Sequence, residues 1–294
     1  MTTHTAVRPE LRLAVLVVAA VMLLFHLGSL AVLWTGVSIV AVAVAIPLSL
    51  IRALGITAGY HRLLAHRAFG TSRSLRFLLS LAGVLAVQGG PLWWVAHHRA
   101  HHRDTDRAGD VHSPVTRGLW HAHLGWMLEP EAFQESGSYV RDIARAPELR
   151  WLQRHYVALL LAQAGALFGL GAGLDALWPG LGTSGTQMLV IGLFLTTVLT
   201  WHVTFAVNSV CHRWGGRRWD TDDASRNHFL VGLLALGEGW HNNHHRFPNS
   251  ARHGLYWWQP DATWWVLRTL ERLGLVWDLK TPPAARLEAR PAGG

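Results

Sequence analysis

Two long apolar runs open the chain, Leu11 to about Trp34 and Val37 to about Thr57, separated only by Thr35 and Gly36. Each is close to the roughly 20 residues that cross a hydrocarbon core, so the pattern predicts a tight hairpin of two membrane spans. Arg52 interrupts the second run near its end, where a long side chain is expected to reach back to the interface. Tyr156 to Leu174 and Gln187 to Val207 predict a second hairpin. Two further apolar stretches, Phe77 to Val87 and Phe229 to Gly237, are too short to cross, and the first is expected to pack at the interface or to re-enter. The predicted fold is therefore an all-α membrane protein, with four spans at 11–34, 37–57, 156–174 and 187–207 and a helical cap. A single domain over residues 1–280 is expected. The Pro- and Gly-containing stretch 281–294 is expected to be a disordered tail.

Composition sharpens this picture. Half the residues are apolar and 15% are charged, against about 25% in soluble domains. The net charge of +8 rests almost wholly on arginine, since Lys280 is the only lysine. Both short loops inside the predicted hairpins lack Lys and Arg, whereas the segments between and after the hairpins are rich in Arg. The positive-inside rule places those segments, and both termini, on the cytoplasmic side. Beside four spans, the basic balance implies no nucleic-acid partner. One cysteine, Cys211, excludes an internal disulfide framework and a four-cysteine iron–sulfur or rubredoxin-like module within this chain.

The candidate chemistry lies in the histidines of the basic segments. His61 and His66 follow the second span. His98, His101 and His102 lie in a second cluster, His212 follows the fourth span, and His241, His244 and His245 fall within five residues. On a helix His98 and His102 share one face, as do His241 and His245, because residues four apart are neighbours. One such pair can hold an ion; several on the same membrane side can hold two. Neutral imidazole suits iron, zinc and copper alike. His4, His26, His121, His123, His155, His202 and His253 stand apart from the clusters and are expected to be structural or exposed. Only Glu238-x-x-His241 resembles the carboxylate–histidine pattern of soluble diiron bundles, which need two such pairs.

The stretches His61-Arg-Leu-Leu-Ala-His66, His98-Arg-Ala-His101-His102 and His241-Asn-Asn-His244-His245 resemble the three histidine boxes of the integral-membrane fatty acyl desaturases, most closely the stearoyl-CoA (Δ9) type. Gly55 to Gly59, Asn208-Ser209 and Gly237-Glu-Gly239 extend the likeness, which runs from about Leu54 to Lys280. Tyr60 and Asn243 depart from the common pattern without removing a ligand. The resemblance implies two iron ions and O2 as co-substrate. His61, His66, His98, His102 and His244 would hold one iron. His101, His212, His241 and His245 would hold the other, with Asn208 reaching it through a water. It also implies an external electron donor, a ferredoxin or similar small redox protein with its reductase, and an acyl-CoA or other acyl thioester as substrate.

Asp104, Asp106 and Glu238 are candidates for orienting the imidazoles. Ala53, Leu54 and Ala58, just before His61, are candidate determinants of how deep an acyl chain reaches. His97 is expected to sit beside the site or at the surface. A membrane hydroxylase acting on a lipid or hydrocarbon is the alternative that the ligands alone leave open. A metal transporter would need polar ligands within the spans, and the boxes lie outside them.

Overall fold

A computed structural model describes residues 8–133 and 137–288 of the chain. Among the described residues four helices are long and apolar enough to cross a membrane: Pro9–Thr35, Ile39–Ala65, Tyr156–Leu177 and Gly185–His212. Gly36, at φ 72, closes the first hairpin, and its left-handed conformation suits a residue without Cβ. The spans meet in a core of Met22, Phe25, Ala41, Ala45, Leu167, Met188, Ile191 and Trp201, while Leu13, Leu16, Leu33, Ile39, Val157 and Leu161 stay exposed on their outer faces. That is the pattern of helices solvated by lipid, which need not bury their apolar surface in protein.

Arg52 turns into the protein and not outward. It is buried, and its Nη1 donates to the Gly192 carbonyl and to Thr196 Oγ1, both at 3.0 Å. The cause lies in the fourth span, where Val190–Leu195 winds as a π-helix and shifts its hydrogen-bond register. The guanidinium takes the Gly192 carbonyl at that shift and ties the second span to the fourth.

The second span extends beyond its predicted end, since it stays helical to Ala65 and carries the first histidine box on itself. Against it lies Arg73–Leu85, capped by Ser72, whose hydroxyl accepts from Leu75 N at 3.2 Å. This is the short apolar stretch expected to pack rather than cross. Contact is backbone to backbone, because a Cβ on Gly55 would stand 2.2 Å from Gly83 N. A second core of Tyr60, Leu63, Leu64, Val84, Val95, Leu149, Leu152 and Leu267 gathers the box-bearing helices into a cap. A two-residue antiparallel pairing, Gly70–Thr71 with Val276–Trp277, ties the C-terminal part of the cap to the end of the first box. Within the expected tail, Ala284–Glu288 forms a helical turn, and the Tyr256 hydroxyl donates to the Leu287 carbonyl at 3.3 Å. Residues 289–294 lie outside the described residues.

Candidate metal centre

The first box owes its geometry to unusual winding. Five residues along an α-helix rotate a side chain roughly 140° off the starting face. Gly55–Ala65 is instead π-helical, and His66 N donates to the His61 carbonyl five residues back at 3.1 Å. An i to i+5 repeat brings His61 and His66 to one side, with ring centroids 4.8 Å apart. The second box lies on Pro91–Asp104, which starts with Pro at its first position, where the missing N–H costs nothing. The third lies on the short helix His241–Arg246. Ahead of it Gly237, at φ 113, and the close approach of Gly239 to the Gly232 backbone turn the chain inward.

These helices bring nine imidazoles into two groups. His61, His66, His98, His102 and His244 form one, and His101, His212, His241 and His245 the other, with the possible ligand atoms inside each group all within 4.8 Å of one another. The division is the one that the resemblance implies. The groups adjoin where His102 stacks on His245, centroids 4.6 Å apart. Asn208 is half-buried near the end of the fourth span, four residues ahead of His212.

Carboxylates fix the ring orientations. Nδ1 of His61 lies 2.6 Å from Glu238, that of His101 3.0 Å from Asp110, that of His212 2.9 Å from Asp106, and that of His245 2.9 Å from Asp223. A carboxylate only accepts, so each of these Nδ1 atoms carries the proton and each Nε2 presents a lone pair. Those lone pairs converge: His241 Nε2 stands 3.0 Å from Nε2 of both His212 and His245, and His244 Nε2 stands 3.1 Å from that of His61 and 2.9 Å from that of His102. His241 has one Nε2 and cannot donate to both neighbours. Metal–imidazole bonds of about 2.1 Å at right angles put adjacent nitrogens about 3.0 Å apart. The donor set therefore fits metal, and crowded lone pairs are otherwise repulsive.

The electrostatics point the same way. Burial first, then mutual repulsion, holds His66, His98, His102, His241 and His244 well below the usual imidazole range, and His101 falls to about 3. Burial opposes the ionisation of Asp106, Asp110 and Asp223, yet hydrogen bonds from His212, His101 and His245 keep all three below the ordinary carboxylate range. Neutral rings backed by ionised acids are what metal-bound histidine requires.

Of the orienting acids expected from sequence, Asp106 and Glu238 face imidazoles and Asp104 does not. Asp104 ends its helix and pairs outward with Arg103 at 2.9 Å. The chain then reverses at Asp106, φ 58, and that turn sends its carboxylate back to His212. Asp110 and Asp223 also face the centre, and nothing in their sequence spacing marks them. His112 and His253, the latter expected to be structural or exposed, are both buried beside the site. His112 lies against His101 with centroids 4.3 Å apart, and His253 Nδ1 is 3.3 Å from Glu238. Among the described residues His97 shares no hydrogen bond with a box histidine; its Nδ1 donates to the Trp93 carbonyl at 2.8 Å. Ala58 is buried in the cap core, and Ala53 and Leu54 are half-buried one turn before it.

A fatty acid desaturase family model matches residues 37–280, which hold every residue of both imidazole groups. The chain belongs to the fatty acid desaturase family. It is 43% identical over 237 residues to the icosanoyl-CoA 5-desaturase of Limnanthes douglasii, covering 79% of this chain and 63% of that protein. The sn-2 palmitoyl-lipid 9-desaturase of Nostoc is 39% identical over 234 residues, 78% of each chain. The sn-1 stearoyl-lipid 9-desaturase of Anabaena variabilis is 38% identical over 283 residues, 95% of this chain and 98% of that one. This desaturase-family chain thus spans less than two thirds of the first relative and nearly all of the third.

Proposed function

We propose that the chain is a diiron, O2-dependent fatty acyl desaturase that places a cis double bond, at the Δ9 position, in a saturated acyl thioester such as acyl-CoA. The observation that carries this reading is the convergence of imidazole Nε2 lone pairs, four of them locked by carboxylates at Nδ1, into two adjoining groups. Two irons held there would supply the oxidising power, drawn from O2 and two donated electrons, that removal of hydrogen from an unactivated methylene demands.

The chain's own residues bind, orient and exclude water. Glu238, Asp110, Asp106 and Asp223 hold four rings in one tautomer, and Arg62, buried between Glu238 and Asp261 at 3.0 Å from each, holds Glu238 in turn. Trp94 lies flat against His98, centroids 5.0 Å apart, and covers one face of that ring. Ala53, Leu54 and Ala58 are proposed to set how far the acyl chain penetrates. The single cysteine, Cys211, is buried and cannot ligate an iron–sulfur cluster, which favours a separate ferredoxin-like donor with its reductase, approaching the basic cytoplasmic face.

Expression in a host of known fatty-acid content, followed by mass spectrometry that locates new double bonds in acyl-CoA and in glycerolipid fractions, tests the reading. A Δ9 alkene appearing first in acyl-CoA supports it in full. An alkene appearing first in lipid moves the substrate to the class named for the Nostoc and Anabaena relatives. A hydroxylated product, or an alkene that persists in both His241→Ala and His102→Ala, sinks it.

A further inference from the structure

The two imidazole groups differ in charge more than in ring number. In the four-ring group of His101, His212, His241 and His245, three rings donate from Nδ1 to a carboxylate: Asp110 at 3.0 Å, Asp106 at 2.9 Å and Asp223 at 2.9 Å. The other partners of these acids are neutral. Asp110 accepts from Asp106 N and His112 N, Asp106 from the Ser113 hydroxyl and Ala224 N, and Asp223 from the Thr221 hydroxyl and Ser225 N. Among the described residues no arginine or lysine pairs with any of the three. Three full negative charges therefore stand behind the rings of this group.

The five-ring group of His61, His66, His98, His102 and His244 is backed differently. Among the described residues one of its rings, His61, donates to a carboxylate, that of Glu238. Glu238 is also paired with Arg62, and Arg62 with Asp261, at 3.0 Å each. Two acids and one guanidinium leave a single negative charge. This group offers one imidazole more, which is one neutral ligand. The other offers two unit charges more, and each of its carboxylates also raises the basicity of the ring it holds. In a buried site a divalent ion gains far more from a neighbouring negative charge than from exchanging one neutral ligand for another.

We infer that the two metal sites are unequal and fill in order: the four-ring group binds its ion first and keeps it longest, and the five-ring group fills last and empties first. The inference rests on the two-metal reading above and adds a one-metal form of the protein to it. The groups adjoin at His102 and His245, centroids 4.6 Å apart, so two bound cations repel and leave in separate steps whichever goes first. What the carboxylates decide is which group keeps its ion. Limiting metal then gives a population of one-metal chains in place of a mixture of full and empty ones. Because the reading above needs two irons, such chains are inactive and recover on addition of a single equivalent.

Ferrous, two-metal, full-length protein dialysed against a graded chelator tests the order. Bound iron is counted by intact-protein mass spectrometry, and the last ion is located by anomalous diffraction at the iron edge. The expected result is a one-iron plateau over at least about a tenfold range of free iron, with the remaining ion in the four-ring group. Glu238→Gln should widen the plateau, because it weakens the weaker site, and Asp223→Asn should narrow it, because it weakens the stronger. A general fold defect would move both variants the same way, and melting temperatures check for one. A last ion in the five-ring group, or spread evenly over both, overturns the inference. So does a plateau that Asp223→Asn leaves unchanged or widens at wild-type melting temperature. If the loaded protein never holds two metals, the two-metal reading fails and the order with it. A wild type that converts no acyl chain yet loses iron first from the five-ring group upholds the order and counts against the desaturase chemistry alone.

Discussion

His212 Nδ1 and Asp106 Oδ2 meet at 2.9 Å across 106 residues of chain, joining the end of the fourth span to the turn that follows the second histidine box. The same carboxylate oxygen accepts from Ala224 N at 2.8 Å, and Asp106 Oδ1 accepts from the Ser113 hydroxyl at 2.6 Å. Asp106 is thus held from two sides before it holds His212. Its ring-orienting role is set by a loop, not by helical spacing.

Asp106→Asn should lower the metal affinity of the His101, His212, His241, His245 group by about 10- to 100-fold. The amide can turn its NH2 toward His212 Nδ1 and reverse the tautomer. Asp104→Asn, two residues away and paired with Arg103, should leave metal content unchanged. Iron measured per protein after dialysis against a graded chelator separates the two, and equal loss in both variants would show that the segment acts only through its fold.

The pH dependence follows from the buried imidazoles. Burial lowers His101 to about 3 and His112 to about 4, while an unfolded histidine stays near 6.5. Between those values the unfolded chain binds more protons, so stability is full above about pH 6.5 and falls as pH drops through the window. Asp110 and Asp223, also held low, add a loss in the same direction at more acid pH. The melting temperature of metal-free protein should therefore decline steadily on acidification from about pH 6.5, and His112→Gln should flatten the decline. A melting temperature that rises with acid would contradict the buried, neutral state of these rings.

Arg62 is fully buried between Glu238 and Asp261, and Glu238 also accepts a hydrogen bond from His61 Nδ1. Arg62→Met fills much the same volume but leaves two buried carboxylates without their cation. Removing one member of such a group costs about 3–5 kcal/mol. The variant should unfold at lower denaturant than wild type and lose iron together with stability. Arg62→Met with unchanged stability would mean that the two acids are protonated, and His61 would then have no fixed tautomer.

Much of this architecture is legible in the sequence. Run length and hydropathy mark the four spans, because a bilayer imposes one length on every helix that crosses it. The boxes themselves are visible because ligand spacing is local. Asp110, Asp223, His112 and His253 were not legible, since each reaches the site through a turn whose path no local spacing records. The π winding of Gly55–Ala65 was hidden as well, although the five-residue interval between His61 and His66 is its only trace. Arg52 misled for a related reason: the pattern shows a charge in an apolar run but not the carbonyl of Gly192 waiting for it.

Ala53 follows Arg52 and lies two turns before His61, where the second span is still α-helical and its side chain is half-buried. If the acyl chain passes the metal centre and continues into the span region, a bulky side chain here shortens the space beyond the reacting carbons. Ala53→Phe should then shift products toward shorter acyl chains with the double bond at an unchanged distance from the carbonyl end. Ala58, with 1% of its surface exposed, has no room for the same change, and Ala58→Phe should cost stability, about 1–3 kcal/mol for overpacking, instead of altering length preference. Product profiles by mass spectrometry, set beside melting curves for both variants, test the pair. An unchanged length profile in a stable Ala53→Phe protein would remove this face of the second span from the substrate path.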